Sequence, residues 1–133
     1  MRFLETDTIL RYLTCDDKEK AADVFALLQR VESGRERVVI SPMVIFEVVF
    51  TLQSYYKVSK SEIKEKVLAI LDLRGLILEH KNVFAAGLEC YCEFNLPFAD
   101  AFNACYMKSR GLNEIYTYDE DYDRIADIKR VAP

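Results

Sequence analysis

Histidine is almost missing from this chain: the 133 residues contain one, His80. A zinc centre built on several histidines, or a hydrolase that relays protons through them, therefore has little to work with. Glycine and proline are also scarce, at four and three residues, which points to regular elements joined by short loops. No apolar run approaches the ~20 residues of a membrane span. Met1-Arg2-Phe3-Leu4 leads straight into polar residues without a signal-like core. Repeats, low-complexity tracts and linkers are absent, so a single domain over 1–133 is expected. There is no basic excess either. Eighteen Lys and Arg face 22 Asp and Glu, for a net charge of −4, which argues against a large basic surface gripping nucleic acid. The four cysteines lack zinc-site spacing, because Cys90-Tyr91-Cys92 falls within a helical pattern with no second ligand pair. They read as reduced thiols of a cytoplasmic protein.

What is present is a globular composition, 51% hydrophobic and 30% charged, in which short apolar runs alternate with longer helical patterns. Phe3-Leu4, Val38-Val39-Ile40, Leu76-Ile77-Leu78, Ile115-Tyr116-Thr117 and a segment near Ile128 read as strands. Helices are expected over 6–13, 17–33, 42–56, 60–73, 81–93 and 97–110. Their start signals are Asp16-Asp17, Ser41 before Pro42, a Ser59-x-x-Glu62 capping box and Pro97. Strands separated by one or two helices imply an α/β fold of three layers. Its central parallel sheet would have four to five short strands, with helices on both faces.

In such folds the ligand site lies beyond the carboxyl ends of the strands. Acids occupy those places. Glu5 and Asp7 follow the first strand, and Glu47 lies in the helix after the second. Asp100 sits in the first turn of the helix that begins at Pro97, and Asp119 and Asp121 follow Ile115-Tyr116-Thr117. On a helical wheel, Val44, Ile45, Val48, Val49, Leu52, Tyr55 and Tyr56 form an apolar stripe, and Glu47 falls about 60° off its edge. Phe98, Ala101, Phe102, Ala104 and Cys105 form a second stripe, flanked by Asp100. Phe46 and Phe50 lie opposite the first stripe and suggest a second covered surface. Each acid alone also fits an ordinary role at a helix start, in a turn or on a solvated face. The set carries more. Acids converging at one point repel one another unless a cation neutralises them, and oxygen-only ligands suit Mg²⁺ or Mn²⁺. A site of that kind activates a water and stabilises in-line displacement at phosphate.

At these residues the sequence resembles PIN-domain ribonucleases, most closely the VapC-type toxins of toxin–antitoxin pairs. Five segments carry the resemblance in order. They are Phe3-Leu4-Glu5-Thr6-Asp7-Thr8-Ile9-Leu10-Arg11-Tyr12-Leu13, Ile40-Ser41-Pro42 through Glu47-Val48-Val49-Phe50-Thr51-Leu52, and Tyr56 with Val58-Ser59-Lys60. Phe98-Ala99-Asp100-Ala101 and Thr117-Tyr118-Asp119-Glu120-Asp121-Tyr122 complete the set. The resemblance implies a PIN-like three-layer fold and a metal-dependent endoribonuclease leaving a 5′-phosphate and a 3′-hydroxyl. It further implies metal binding by Glu5, Glu47, Asp100 and Asp119, with Asp121 in support. Thr117 is implied as a hydrogen-bonding partner in the catalytic set, and Thr6 as a similar helper. The implied partners are an RNA substrate, a second copy of the chain and an antitoxin covering the acidic groove.

Two positions depart from the family pattern. Glu5 stands where Asp is usual, and Asp7 where Asn is usual. The longer Glu would move a metal placed for Asp, or Asp7 would substitute as the ligand. A catalytically weakened PIN-like module that binds RNA or protein is therefore the alternative reading, and a different metal-dependent phosphatase or nuclease is a third. Arg11 and the Lys108–Arg110 segment are candidates for phosphate contact, but read more readily as solvated helix ends.

Overall fold

Every strand in this protein is two or three residues long, and every strand pair is parallel. The structure is a computed structural model and describes residues 1–133. The chain divides into two compact units, Met1–His80 and Lys81–Pro133.

The first unit runs β1 (Arg2–Phe3), α1 (Thr6–Thr14), α2 (Lys18–Glu32), β2 (Val38–Val39), α3 (Pro42–Ser54), α4 (Lys60–Leu71) and β3 (Leu76–Ile77). The strands form one sheet in the order β1-β2-β3, with Arg2 opposite Val38 and Val38 opposite Leu76. Hydrogen bonds from Leu4 N to Val39 O and from Ile40 N to Ile77 O prolong the pairing by a residue. That agrees with the expected runs through Leu4 and Ile40. A parallel sheet needs apolar cover, and Ile9, Val31, Val44, Ile45, Val48, Val49, Leu52, Ile63 and Val67 are buried here. Tyr55 departs from its expected place in the α3 stripe. It caps the helix C-terminus and is 76% exposed, because the helix stops at Ser54 before its next turn could bury the ring. Phe50 is likewise exposed.

Helix ends follow the expected chemistry, with one exception. Asp17 accepts from Lys20 N at 3.1 Å and Ser59 from Glu62 N at 3.3 Å, each a cap contributing about 1 kcal/mol. Ser41 makes no side-chain cap bond, and α3 starts on Pro42 instead, whose fixed φ suits the first helical position. Gly75 is fixed by close approach. A Cβ there would lie 2.2 Å from Glu36 O and 2.9 Å from Val31 O, so a side chain would push β3 away from the preceding chain.

The second unit runs α5 (Lys81–Glu93), α6 (Phe98–Ser109), β4 (Glu114–Tyr116), a 3-10 turn (Glu120–Arg124) and β5 (Lys129–Val131). Gly87 lets the two helices meet closely, since a Cβ there would touch the Phe102 backbone at 3.4 Å. Phe84 packs on Phe102 at 4.6 Å and Tyr91 meets Phe98 edge-on at 5.6 Å. Both strands sit slightly away from their expected places. β4 begins one residue earlier, at Glu114, and β5 begins just after Ile128. They pair in parallel, Ile115 opposite Arg130. The Arg130 guanidinium grips Asp123 through two hydrogen bonds, of 2.7 and 2.9 Å, tying the 3-10 turn to β5. The expected parallel strands are thus present as one three-stranded sheet and one two-stranded ladder.

Candidate metal centre

The acids at the strand ends have different local anchors. In the first unit, Glu5 is the N-cap of α1, and its Oε2 accepts from Asp7 N at 3.1 Å. Glu is an uncommon cap, because its extra methylene must fold back to reach the second helical amide. The next residue, Thr6, is only 6% exposed, and its hydroxyl donates to Glu47 Oε1 at 3.4 Å. That long bond joins the start of α1 to the middle of α3. Glu47 itself is exposed on α3, beside the buried Val48 and Ile45. Asp7 points at Arg11, whose Nε lies 3.6 Å from its Oδ1 and whose other end reaches Asp16 at 3.6 Å. Arg11 is therefore engaged with two acids, while Lys108 and Arg110 are exposed at the end of α6.

In the second unit three acids come together. One carboxylate oxygen each from Asp100, Asp119 and Asp121 lies within 4.8 Å of the others. Asp100 occupies the first turn of α6 and is half-buried. Asp119 is the N-cap of the 3-10 turn, accepting from Asp121 N at 2.9 Å. Its own amide donates to Thr117 Oγ at 3.0 Å, so Thr117 acts here by fixing the backbone that presents Asp119. Asp121 is steadied by Arg124 at 3.3 Å.

Two residues outside the sequence-derived set complete this arrangement. Tyr122, 4% exposed, donates its hydroxyl hydrogen to Asp100 Oδ1 at 3.3 Å. Asn103, one helical turn beyond Asp100, donates its Nδ2 hydrogen to the Tyr122 oxygen at 3.3 Å. Tyr122 ends the fifth motif, where nothing in the sequence sets its hydroxyl apart from a packed ring. Asn103 carried a usable signal: a polar residue three positions after Asp100 on the same helix face.

The electrostatics follow from the crowding. Burial raises the Asp100 pKa above the usual carboxylate value, and the neighbouring Asp119 charge raises it further; the Tyr122 hydrogen bond opposes both. Tyr122 is itself raised, first by burial. A divalent cation would reverse this penalty. Two oxygens bound to one Mg²⁺ at about 2.1 Å can be at most about 4.2 Å apart. The 4.8 Å cluster therefore needs only a small inward rotation of these carboxylates, and the all-oxygen donor set suits Mg²⁺ or Mn²⁺. The residues fit such an ion.

Alternating helices and parallel strands, with an acidic cluster after a strand, define a three-layer α/β protein with a candidate metal centre. The chain belongs to the PIN domain family, whose profile matches residues 2–128. It is also similar to a VapC ribonuclease from Aquifex aeolicus (strain VF5), with 23% identity over 133 residues, covering 100% of this chain and 97% of that protein. The resemblance read from the five motifs is thereby borne out. No helix is long and apolar enough to cross a membrane.

Proposed function

We propose that this protein is a divalent-metal-dependent endoribonuclease, the toxin component of a toxin–antitoxin pair. The observation that carries the reading is the cluster of Asp100, Asp119 and Asp121, in a chain of the PIN domain family. The similarity to a VapC ribonuclease over the full length supports RNA as the substrate.

Asp100 and Asp119 hold the ion with Glu47 and Glu5, Asp121 supports them, and Thr117 keeps Asp119 in place. The ion, Mg²⁺ or Mn²⁺, would supply a nucleophilic water at neutral pH and offset charge on the departing oxygen. The chain's own residues supply position. Tyr122 and Asn103 hold Asp100 in one rotamer, and Thr6 holds Glu47. Phosphate displacement depends chiefly on such positioning and on charge stabilisation. A second copy of the chain and an antitoxin covering the acidic groove complete the proposed partners, in the cytoplasm.

A second reading has one observation in its favour. Glu5 uses an oxygen to cap Asp7 N, and Asp7 would have to leave Arg11 to serve as a ligand in its place. A weakened PIN-like binding module would follow if neither acid reached the ion. Incubating the protein with labelled single-stranded RNA in Mn²⁺, in EDTA, and as Asp100→Asn separates the two readings. The nuclease predicts cleavage in Mn²⁺ alone, by the unaltered protein alone, with 5′-phosphate ends. RNA binding without cleavage under every condition would favour the module. DNA and a small phosphomonoester in the same assay test for a different phosphatase or nuclease.

A further inference from the structure

The cations of this chain are unevenly placed. Of its nine arginines, five are Arg2, Arg30, Arg35, Arg37 and Arg74, and all five belong to the amino-terminal edge of the three-stranded sheet. Arg2 opens β1, Arg37 immediately precedes β2, and Arg74 is two residues before β3. Register places them together, since Arg2 is opposite Val38 and Val38 opposite Leu76. Arg30 and Arg35 come from the end of α2 and the link that follows it. Gly34, at φ +80°, brings that link under Arg74, whose Cδ would lie 2.9 Å from a Cβ at Gly34.

Charge is poorly balanced at this edge. Arg30 is paired with Glu36 at 3.1 Å. Arg2, Arg35, Arg37 and Arg74 are exposed, and the Arg35 Nε donates to the neutral Ser33 hydroxyl at 3.3 Å. A shallow concavity of about 560 Å³ lies there, lined by Met1, Arg2, Gly34, Arg35, Glu36 and Arg37. Glu32 lines a different groove with Tyr12 and Phe25, while Asp72 is exposed at the end of α4. Arg2, Arg35 and Arg37 line this one concavity and Arg74 lies against Gly34, so the edge carries an excess of positive charge that gains from a polyanion. Adjacent strands are about 4.8 Å apart, so Arg2, Arg37 and Arg74 are spread along the edge rather than focused on one point. That suits a chain of phosphates better than a single ion. The side chain used is Arg throughout, whose planar fork pairs two oxygens of one phosphate.

We propose that this arginine edge binds the phosphate backbone of an RNA strand, as a site separate from the carboxylates at the other end of the same strands. The inference rests on the RNA-cleaving reading for its choice of polyanion. Arg2 and Glu5 are three residues apart, roughly 10 Å along an extended chain, so a strand passing one end of this sheet can reach the other. A chain of net charge −4 thereby holds its cations where the substrate's flanking phosphates run.

The test measures binding in EDTA, where the RNA stays whole, using a labelled single-stranded 20-nucleotide RNA at several salt concentrations. Replacing all four exposed arginines (R2Q, R35Q, R37Q and R74Q together) is expected to weaken binding at least tenfold. It should also flatten the dependence of log Kd on log salt by about 0.7 for each phosphate that is no longer neutralised, or close to 3 in total. The corresponding four-lysine variant should keep most of the salt slope. The thermal unfolding midpoint checks that each variant is folded. Unchanged affinity and slope in the four-glutamine variant would overturn the proposal, even if the protein cleaves RNA in Mn²⁺. So would loss of binding to phosphatidylglycerol vesicles with RNA binding intact, which would assign the edge to a lipid surface. Conversely, the expected weakening in EDTA would stand even if no cleavage were found.

Discussion

The two units hold their acids in opposite ways. In the second, Asp100, Asp119 and Asp121 are already gathered within 4.8 Å. They are fixed by Tyr122, Arg124 and the Thr117 turn. In the first, Glu5 is occupied by its own helix cap, and Glu47 is held by one long bond from a buried threonine. One set bears the repulsion of being assembled. The other keeps its carboxylates satisfied locally and is easily re-aimed. The lesson is that one chain can hold its acids either gathered and charge-stressed or satisfied one by one, and that substitutions in the two groups should fail differently.

Asp100→Asn is expected to have the largest effect. Activity on RNA should fall by more than ~100-fold, since disturbing even the partners of metal ligands costs about 10–100-fold. The same variant should unfold at a higher temperature than the parent when metal is absent, because it removes a charge from the crowded cluster. Glu47→Gln should also lose activity but bring no such gain in the metal-free midpoint. Equal metal-free midpoints for Asp100→Asn and the parent would erase the contrast between the units.

Next in size is the effect of metal and pH on stability. Mn²⁺ at about one hundred times its Kd should stabilise the protein by about 2.7 kcal/mol, and Asp100→Asn should lose this gain. The sign of the pH effect follows from the raised pKa of Asp100. The folded state holds this proton more tightly than the unfolded chain. Its contribution is therefore complete below the unfolded carboxylate pKa and is lost as pH rises through the folded value. Metal-free protein should show that loss in thermal unfolding across the mildly acidic range, and saturating Mn²⁺ should suppress it.

Tyr122→Phe should be milder, at about tenfold or somewhat more in activity. Removing the donor deletes the interaction that lowers the Asp100 pKa, so the acid limb of the pH–rate profile should move to higher pH. A drop in rate without that movement would reduce Tyr122 to packing. Glu5→Asp should be the smallest change. Asp is a preferred cap, so α1 should gain roughly a few tenths of a kcal/mol, and cleavage should rise if the longer side chain has displaced the ion.

Local chemistry explains what could be read in advance. Capping residues, proline and β-branched runs placed the helices and strands of the first unit within a residue or two, since those signals act between near neighbours. Glu5 and Asp119 were visible as acids following strands, and Asp100 as an acid in the first turn of a helix begun at Pro97. Tyr122 and Asn103 were not, because their role arises only when the 3-10 turn folds against α6, a contact spanning 19 residues of sequence. Tyr55 misled for a related reason: periodicity continues through residues that the helix end leaves in water. The arginine edge was hidden by the net charge, which averages five clustered cations against acids elsewhere.

The central claim, that the gathered acids of the second unit hold a divalent cation, is tested most directly by calorimetric titration of Mn²⁺ into four proteins. These are the parent, Asp100→Asn, Asp119→Asn and the double variant. A site shared by these acids predicts one ion per chain in the parent, marked weakening in each single variant, and a double variant less impaired than the two single losses would sum to. Mn²⁺ affinity that is unchanged in Asp100→Asn, or losses that add fully, would contradict it.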